Sequence, residues 1–432
     1  MQLAGIGVGP ANLSLASLLY PLGLPNTFFE KAEGFRWHEG MQIPNSALQV
    51  SFVKDLVTLA DPTNPFSFLA FLHDQGRLGH FLNARFDAVS RREFSRYFAW
   101  AAERNPNVRF GEEVLEVDFD GDFVLRTSCG IVRSANLSIG VGMRPALPPF
   151  AEAKRGATVF HSSDYMRHAQ SLGDRRVAVI GGGQSGAEIV LDLATREHAG
   201  RPAQIVWITR RTCFLPLDDS AFTNDLFLPC HQHYFSELDE AHRHRFLQDH
   251  VLASDGISGD TLQRLYQTLY VRRFLDGAPD AVSLLPNRTL THIASEGAGW
   301  LLQLHHRDLG AAETVTADVV VLATGYRNAA LDFLQPIAHR IETVDQELKV
   351  DEAFAVSWDG PQDRSIFVQN AARRQKGLAD PNLSLLAWRS DRIIERLTGL
   401  TRRVPERSMI TWAPEPPAAS RESAHASSLK FA

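Results

Sequence analysis

The sequence predicts an α/β protein with two Rossmann-like dinucleotide-binding domains and a mainly helical substrate lobe inserted in the second. Two observations predict the two domains: a glycine-rich turn near residue 7 and another near residue 181, each lying between a short apolar strand and a helical pattern. Because each such turn belongs to its own βαβ unit, we expect two parallel sheets. The lobe is predicted from residues 212–285, where the strand and helix alternation gives way to mainly helical patterns before the chain returns to a strand at 282–285.

Composition bounds the class of protein. The chain has 432 residues, 44% of them hydrophobic and 22% charged, with a net charge of -6, which suits a multidomain globular protein. No basic excess indicates a nucleic-acid partner, and no apolar run reaches the roughly 18 residues of a membrane span. The first strand starts at Leu3, so we expect no signal peptide and a cytoplasmic protein. The scattered Cys129, Cys213 and Cys230 predict neither disulfides nor a CxxC redox pair.

The first glycine-rich turn lies in residues 3–16, LAGIGVGPANLSLA, and reads G-x-G-x-x-N with Gly7, Gly9 and Asn12. Asn12 takes the place of a third glycine and puts a polar side chain at the helix start. The next strand ends at Glu30, where a carboxylate can accept hydrogen bonds from ribose hydroxyls. A solvated strand end is the alternative reading of Glu30.

The second turn, VAVIGGGQSGAE at residues 177–188, carries Gly181, Gly183 and Gly186. In this motif the first glycine permits a tight turn, the second lets the backbone approach a pyrophosphate, and the third lets helix and strand pack closely. The free N–H groups of the helix then face the phosphates. The following strand ends in Arg210 and Arg211, which suit the extra phosphate of NADPH, although a surface basic pair is the alternative.

A long segment, residues 35–72, separates the first two strands from the next helix and has little regular periodicity. Such a long aromatic-rich excursion in a nucleotide domain predicts a functional lid. It contains Trp37, His38, Gln49 and Lys54, and its aromatic side chains suit either the core or ligand stacking.

Further along, the histidines and cysteine of the helical lobe match no zinc spacing, so we expect packed or solvated side chains and no metal site: Cys230, His231, His233, His242 and His244. The strand in DVVVLATGY, residues 318–326, is apolar throughout and predicts burial on both faces of a parallel sheet. Ser384 opens a helix whose N–H groups can meet a ring carbonyl. Beyond Arg403 the composition turns to Pro, Ala and Ser, and we expect that tail not to pack.

Several segments, in order, resemble the flavin-dependent N-hydroxylating monooxygenases of hydroxamate siderophore biosynthesis: GVGPANLSLA, LQVSFVKDLVT with DPTNPFSFL, GGGQSGAE, DVVVLATGY and PNLSLLAWRS. The resemblance covers roughly residues 1–400, and lysine 6-monooxygenases and diamine-hydroxylating relatives are most similar. It implies FAD in the first site, whose family motif carries asparagine at Asn12, and NADPH in the second. It also implies transfer of one oxygen atom of O2 to a terminal primary amine through a C4a-hydroperoxyflavin.

The resemblance implies roles for individual residues. Gln49 falls near flavin and nicotinamide, and Lys54 toward the substrate. Ornithine-specific members hold their substrate with two asparagines, of which the first falls on Asn224. Where the second would lie, this chain has Ser254 and Asp255, which favours L-lysine or a diamine such as putrescine or cadaverine, with L-ornithine as the alternative. A homotetramer is also implied.

The expected cofactor contacts extend over both turns, the lid, the 318–326 strand and the last helix: Gly7, Gly9, Pro10, Asn12, Glu30, Lys31, Trp37, His38, Gln49, Gly181, Gly183, Gln184, Ser185, Gly186, Glu188, Arg210, Arg211, Thr324, Gly325, Tyr326, Leu383, Ser384 and Leu385. The expected domains are an FAD-binding unit, an NADPH-binding unit, the lobe and the tail: 1–150 with 326–403, 151–211 with 286–325, 212–285, and 404–432.

Two other classes stay open. Carbon- or sulfur-oxidising flavin monooxygenases also have two dinucleotide sites, but their linker carries Phe-x-Gly three residues before a histidine. Residues 150–165 keep His161 and Tyr165 without that spacing. A nucleotide-sensing flavoprotein would bind FAD and form no product, and the lid with Lys54 argues against it.

Overall fold

Two parallel five-stranded sheets form the framework of the protein. The computed structural model describes residues 1–86, 88–197, 200–278, 281–401 and 408–413. In chain order the strands are β1 (Leu3–Ile6), β2 (Asn26–Glu30), β3 (Val108–Phe110), β4 (Val114–Asp120), β5 (Asp122–Thr127), β6 (Gly130–Ser134), β7 (Asn136–Ile139), β8 (Met143–Pro145), β9 (Val159–His161), β10 (Arg176–Ile180), β11 (Gln204–Ile208), β12 (Val282–Leu285), β13 (Arg288–Glu296), β14 (Gly299–His306), β15 (Ala312–Ala317), β16 (Val319–Leu322), β17 (Tyr326–Asn328), β18 (Thr343–Val344), β19 (Glu347–Leu348) and β20 (Ile366–Val368).

The helices, again in chain order, are α1 (Pro10–Leu19), α2 (Phe68–Asp74), α3 (Leu78–Ala84), α4 (Arg91–Arg104), α5 (Pro149–Glu152), α6 (Tyr165–His168), α7 (Gln184–Thr195), α8 (Pro229–Glu237), α9 (Glu240–Asp249), α10 (Leu252–Asp255), α11 (Gly259–Tyr270), α12 (Arg373–Lys376) and α13 (Leu386–Thr398). Within the described ranges, no helix is both long and apolar enough to cross a membrane.

The first sheet has the order β20-β7-β1-β2-β3, and every pairing in it is parallel. Its central strands β1 and β7 are buried along their whole length, because helices cover one face and a three-stranded antiparallel sheet, β4-β5-β6, lies on the other side. The edge strand β20 comes from the last part of the chain, so residues far apart in sequence build this sheet. Helix α1 packs against α13 on the face of this sheet that the helices cover.

The second sheet has the order β12-β11-β10-β16-β9 and is also parallel throughout. The apolar strand predicted within residues 318–326 is β16, and it is buried on both faces as expected. The last four residues of the range expected for the lobe, 282–285, form the strand β12, which pairs with β11 at the edge of this sheet.

The helical lobe contains α8 to α11 and follows a 3-10 turn at Thr223–Phe227. Its apolar side chains Leu226, Phe227 and Ala253 pack onto Leu378 and Leu385, which belong to the segment before α13. The lobe therefore packs on the domain of the first sheet as well as on the domain of the second sheet.

The tail was predicted not to pack, and for residues 408–413 this is wrong. The Trp412 ring lies 4.6 Å from the His231 ring, and the Ser408 hydroxyl donates a hydrogen bond to Asp225 at 3.0 Å. Trp412 packs there because its ring meets the His231 and Tyr234 rings of α8 and the apolar cluster that includes Phe227 and Phe246. The rest of that prediction, for 404–407 and 414–432, lies outside the described residues.

Candidate active site

The first glycine-rich turn opens onto a cavity of about 1020 Å³, called here the large cavity. Gly7 has a φ of +83°, and a Cβ at this position would lie 2.8 Å from the Gly140 carbonyl oxygen. Gly9 precedes α1 and Pro10 begins it, and no side chain caps the helix. The N–H groups at the start of α1 are therefore available to a phosphate in the cavity.

Residues predicted to bind cofactor line much of the large cavity. Glu30 accepts backbone hydrogen bonds from Val8 at 2.9 Å and Ala32 at 3.0 Å, so its carboxylate is held at the cavity wall. Each carboxylate oxygen has a further lone pair for a ligand hydroxyl. Lys31 lies exposed at the rim, with its Nζ 3.9 Å from the Glu113 carboxylate.

Asn12, in contrast, does not line the large cavity. Its side chain is fully buried and makes five hydrogen bonds within the protein. The amide nitrogen donates to the carbonyls of Ile6, Gly7 and Ser138, and the amide oxygen accepts from the Ser138 hydroxyl and the Gln369 amide. Asn12 therefore supports the turn from behind instead of meeting a ligand directly.

The lid contributes two aromatic residues to the large cavity. The Trp37 ring packs edge-to-face with Phe98 at 5.0 Å, as a core residue does, and it also lines the cavity. His38 lines the cavity beside it, in a left-handed backbone conformation with φ of 48°.

Gln49 connects the lid to the second glycine-rich turn. Its Nε2 donates to the Gln184 Oε1 at 3.3 Å, and the same oxygen accepts from the Ser258 backbone at 2.8 Å. Gln184 is the first residue of α7. The contact therefore places Gln49 between the two dinucleotide domains.

Lys54 and Ser384 meet although they are 330 positions apart in sequence: the Lys54 Nζ donates to the Ser384 Oγ at 3.1 Å. Ser384 is buried and in turn donates to the Asn382 side chain at 2.9 Å. Lys54 is half-buried, and this burial lowers the pKa of its ammonium group. Across the described residues, no carboxylate lies within ion-pair distance of Lys54.

The 3-10 turn Leu383–Leu385, just before α13, contributes Leu383 to the large cavity, while Leu385 packs under the helical lobe. The Ala-Thr-Gly end of the 318–326 segment crosses between the sheets: Thr324 donates to the Ala146 carbonyl at 2.7 Å, and the Gly325 carbonyl lies 2.9 Å from the His161 ring nitrogen. Tyr326 lines the large cavity, and burial raises the pKa of its hydroxyl.

The second glycine-rich turn is packed more tightly. A Cβ on Gly186 would lie 2.2 Å from the Gly181 carbonyl oxygen, which also accepts a hydrogen bond from the Trp207 indole at 2.8 Å. Gly183 precedes α7, whose start, including Ser185, has no capping side chain. This leaves N–H groups free for a second phosphate-bearing ligand.

The two arginines after β11 have different environments. Arg211 folds back over the turn and donates to the Gly182 carbonyl at 2.9 Å, and burial lowers the pKa of its guanidinium. Arg210 is exposed to solvent.

Glu188 was expected to contact cofactor, but its carboxylate is engaged by Arg91 in a bidentate ion pair with distances of 3.0 and 2.9 Å. Both side chains are mostly buried, and Arg91 also donates to the Met41 carbonyl at 2.6 Å. Arg91 starts α4 on the first sheet's side, so the pair ties the two domains together. Sequence reasoning missed Arg91 because it stands in an ordinary amphipathic helix with no local signal.

The residues proposed for substrate binding are not brought against Lys54 by any contact. Asn224 is exposed and donates to the Asp219 carbonyl at 3.1 Å. Arg373 engages Ser254 at 2.9 Å and Asp255 at 3.0 Å. The segments that carry these residues nevertheless pack, through their apolar neighbours, onto Leu385, which lies next to Ser384.

Residues 1–328 match the family model of L-lysine 6-monooxygenase/L-ornithine 5-monooxygenase. The chain belongs to this family. It is 40% identical to the L-lysine N6-monooxygenase of Escherichia coli over 91% of this chain and 94% of that protein.

Solved structures agree with this assignment. The cadaverine monooxygenase of the desferrioxamine pathway of Erwinia amylovora, bound to FAD, has a TM-score of 0.88 and 30% identity over 96% of this chain and 99% of its own. An ornithine N-hydroxylase from Kutzneria sp. 744, with reduced FAD, NADP+ and L-ornithine, has a TM-score of 0.84 and 28% identity over 92% and 98%. The chain is thus a flavin-dependent N-hydroxylating monooxygenase whose cofactors are FAD and NADPH.

The large cavity fits a flavin dinucleotide. It combines a side-chain-free turn at Gly7, an uncapped helix start at α1 and a carboxylate at Glu30. These are the groups that a pyrophosphate and a ribose require.

Proposed function

We propose that the enzyme hydroxylates the terminal amine of an α-amino acid, with L-lysine as its substrate, in the biosynthesis of a hydroxamate siderophore. The observation that carries this proposal is Lys54. Among the described residues, its half-buried ammonium has a hydrogen bond to a neutral hydroxyl and no carboxylate partner, so it suits an anion, which an amino-acid carboxylate supplies. Plain diamines have no such group. The similarity to the E. coli lysine enzyme supports the same choice.

We place FAD in the large cavity and NADPH at the second glycine-rich turn. Bound FAD, reduced by NADPH, supplies the oxygen activation. On this arrangement the uncapped start of α1 binds the flavin pyrophosphate, and Glu30 binds its ribose. Arg210 and Arg211 bind the 2′-phosphate of NADPH, and Gln49 lies where the lid meets the start of α7.

The substrate then lies between Lys54 and the helical lobe. Lys54 and Ser384 orient its carboxylate end, and the apolar side chains of Leu226, Phe227 and Leu385 exclude water. Dehydration matters because an alkylammonium, with an ordinary pKa of about 10.4, has no free lone pair. A dry pocket lowers that pKa and favours the neutral amine that accepts oxygen.

A substrate panel tests the proposal. Hydroxylamine formation and NADPH oxidation are measured with L-lysine, L-ornithine, cadaverine and putrescine. We expect L-lysine to have the highest kcat/KM. Equal or better values with cadaverine or putrescine would contradict an amino-acid site, and L-ornithine as sole substrate would contradict the choice of lysine.

The Lys54→Met variant tests whether Lys54 binds the substrate carboxylate. We expect KM for L-lysine to rise at least tenfold, since a charge-assisted hydrogen bond is lost, while turnover of cadaverine changes little. Lys349→Met is the matched control, because Lys349 pairs with Glu342 on the surface. A normal KM for L-lysine in Lys54→Met would refute the assignment.

We also propose a cytoplasmic homotetramer. Large apolar side chains are exposed on one end of the lobe: Tyr266 (75%), Phe274 (64%) and Leu275 (68%). Such a patch suits contact with a second copy of the chain. Light scattering of the wild type and of Phe274→Asp would test this, and a monomeric wild type would contradict it.

A further inference from the structure

Arg389, from the PNLSLLAWRS segment, has no role in the function described so far. Its side chain is 1% exposed and pairs with the fully buried Asp380, with 3.1 Å between Nη1 and Oδ1. Nη1 also donates to the Asp380 backbone carbonyl at 2.7 Å. Asp380 is held in turn by the Ala372 backbone N–H, at 2.9 Å.

The remaining donors of Arg389 point toward the large cavity wall. Nη2 donates to the Asn370 side-chain oxygen, and Nε donates to the Gln369 side-chain oxygen at 3.4 Å. Asn370 lines the large cavity and has a left-handed backbone, with φ of +61°. Asparagine adopts this conformation more readily than most residues, and the hydrogen bond from Arg389 fixes the direction of its side chain.

Gln369 extends the chain of contacts to the first glycine-rich turn. Its Nε2 donates to the Asn12 side-chain oxygen at 2.8 Å and to the Ser138 hydroxyl at 3.2 Å. The amide nitrogen of Asn12 donates to the Gly7 carbonyl at 2.8 Å. A continuous buried network therefore joins the turn at one end of the large cavity to Asn370 and the start of the last helix at the other.

We propose that Arg389 is a positioning residue for bound FAD. Through Gln369 and Asn12, Arg389 fixes the position of the cavity wall at Asn370 relative to the glycine-rich turn. The proposal rests on the placement of FAD in the large cavity. An ion pair that only stabilised the core could be replaced by apolar groups and would need no further donors. Here the planar guanidinium also donates to the side-chain oxygens of Gln369 and Asn370, which lie in different directions from those that one compact ammonium group could reach together.

The Arg389→Lys variant tests the proposal, because lysine keeps the charge opposite Asp380 but lacks the fork. We expect the melting temperature of the apoprotein to fall, because two buried amide oxygens lose a donor, and we expect FAD to bind about tenfold more weakly, with shifted flavin absorption bands in the holoenzyme that a loss of stability alone would not produce. Arg364→Lys is the matched control, since Arg364 pairs with Asp122 and Asp363 away from the cavity. Wild-type affinity and spectrum in Arg389→Lys, or an equal change in Arg364→Lys, would overturn the role.

A second variant covers the case in which Arg389→Lys does not fold. Gln369→Met removes the link to Asn12 without unbalancing a charge, and we expect FAD binding a few-fold weaker than in the wild type. Wild-type FAD affinity in Gln369→Met would overturn the network.

Gly7→Ala separates this inference from the placement of FAD. Normal FAD binding in Gly7→Ala would contradict the placement of FAD in the large cavity. Weak binding there, with normal binding in both Arg389→Lys and Gln369→Met, would overturn only the positioning role. If the enzyme formed no hydroxylated L-lysine, the proposed substrate would be wrong, while the conclusions from the FAD measurements would stand.

Discussion

The two glycine-rich turns use the third position of the same motif in opposite ways. In the first turn Asn12 fills it and makes five hydrogen bonds into the core. In the second turn Gly186 leaves it empty, and α7 approaches the Gly181 carbonyl so closely that a Cβ would overlap it.

This difference suggests two kinds of nucleotide site. A turn braced by a side chain and facing a large cavity suits a cofactor that stays bound. A turn held by backbone packing, with an arginine folded over it and solvent beside Arg210, suits a ligand that enters and leaves at every turnover.

Gly186→Ala should damage the second site most. The added methyl group would meet the Gly181 carbonyl at 2.2 Å, so the helix must move away from the strand. We expect KM for NADPH to rise about a hundredfold while FAD stays bound, measured by steady-state kinetics and flavin absorbance. Gly79→Ala, where a Cβ meets no atom within 4 Å, should change neither quantity. Loss of FAD from Gly186→Ala would mean that the two sites are not separable.

Asn12→Gly would restore the third glycine in the first turn, and we expect it to weaken the protein. The Gln369 amide and the Ser138 hydroxyl lose an acceptor, and unsatisfied buried groups cost about 1–3 kcal/mol each. FAD affinity should fall about tenfold or more and the melting temperature should drop. Asn26→Gly is the control, because the Asn26 side chain donates one hydrogen bond, to Leu24. Unchanged FAD affinity in Asn12→Gly would end the contrast between the turns.

Arg210→Gln and Arg211→Gln test whether these two side chains bind the 2′-phosphate of NADPH at the second site. Both should reduce the preference for NADPH over NADH by about tenfold, since each removes a charge near the proposed 2′-phosphate. Arg211→Gln should also raise KM for NADH, because it removes the hydrogen bond to the Gly182 carbonyl. Kinetics with both coenzymes measure this, and an unaltered preference in both variants would place the 2′-phosphate elsewhere.

The smallest expected effect concerns pH and compares the two lid residues. Burial lowers the pKa of Lys54 below its ordinary 10.5, so its ammonium is lost at a lower pH than that of a free lysine. The ratio of kcat/KM for L-lysine to that for cadaverine should therefore fall as pH rises toward 10.5, since only L-lysine needs this charge. Gln49→Ala should leave the pH dependence of the ratio unchanged. A ratio that is flat with pH would show that Lys54 does not bind the carboxylate.

Much of the fold was predictable because it follows from local patterns. Short apolar strands ending in glycines, and helices after them, are specified by neighbouring residues, and the sheets confirm both turns. The strand β12 was predictable in the same way, since Val282–Leu285 is a short, mostly apolar run after the helical stretch. The packing of Trp412 on α8 depends on residues about 180 positions away and has no local signature.

For the site, the residue types could be read from the sequence: the glycines, the carboxylate at Glu30, the lid with Gln49 and Lys54, and Ser384 just before the last helix. Which of them meet depends on the folded chain. It brought Lys54 onto Ser384, turned Asn12 into the core and engaged Glu188 with Arg91. The physical reason is that a motif specifies backbone conformation over a few residues, whereas a side chain's partner depends on which surfaces the folded chain brings within hydrogen-bond distance.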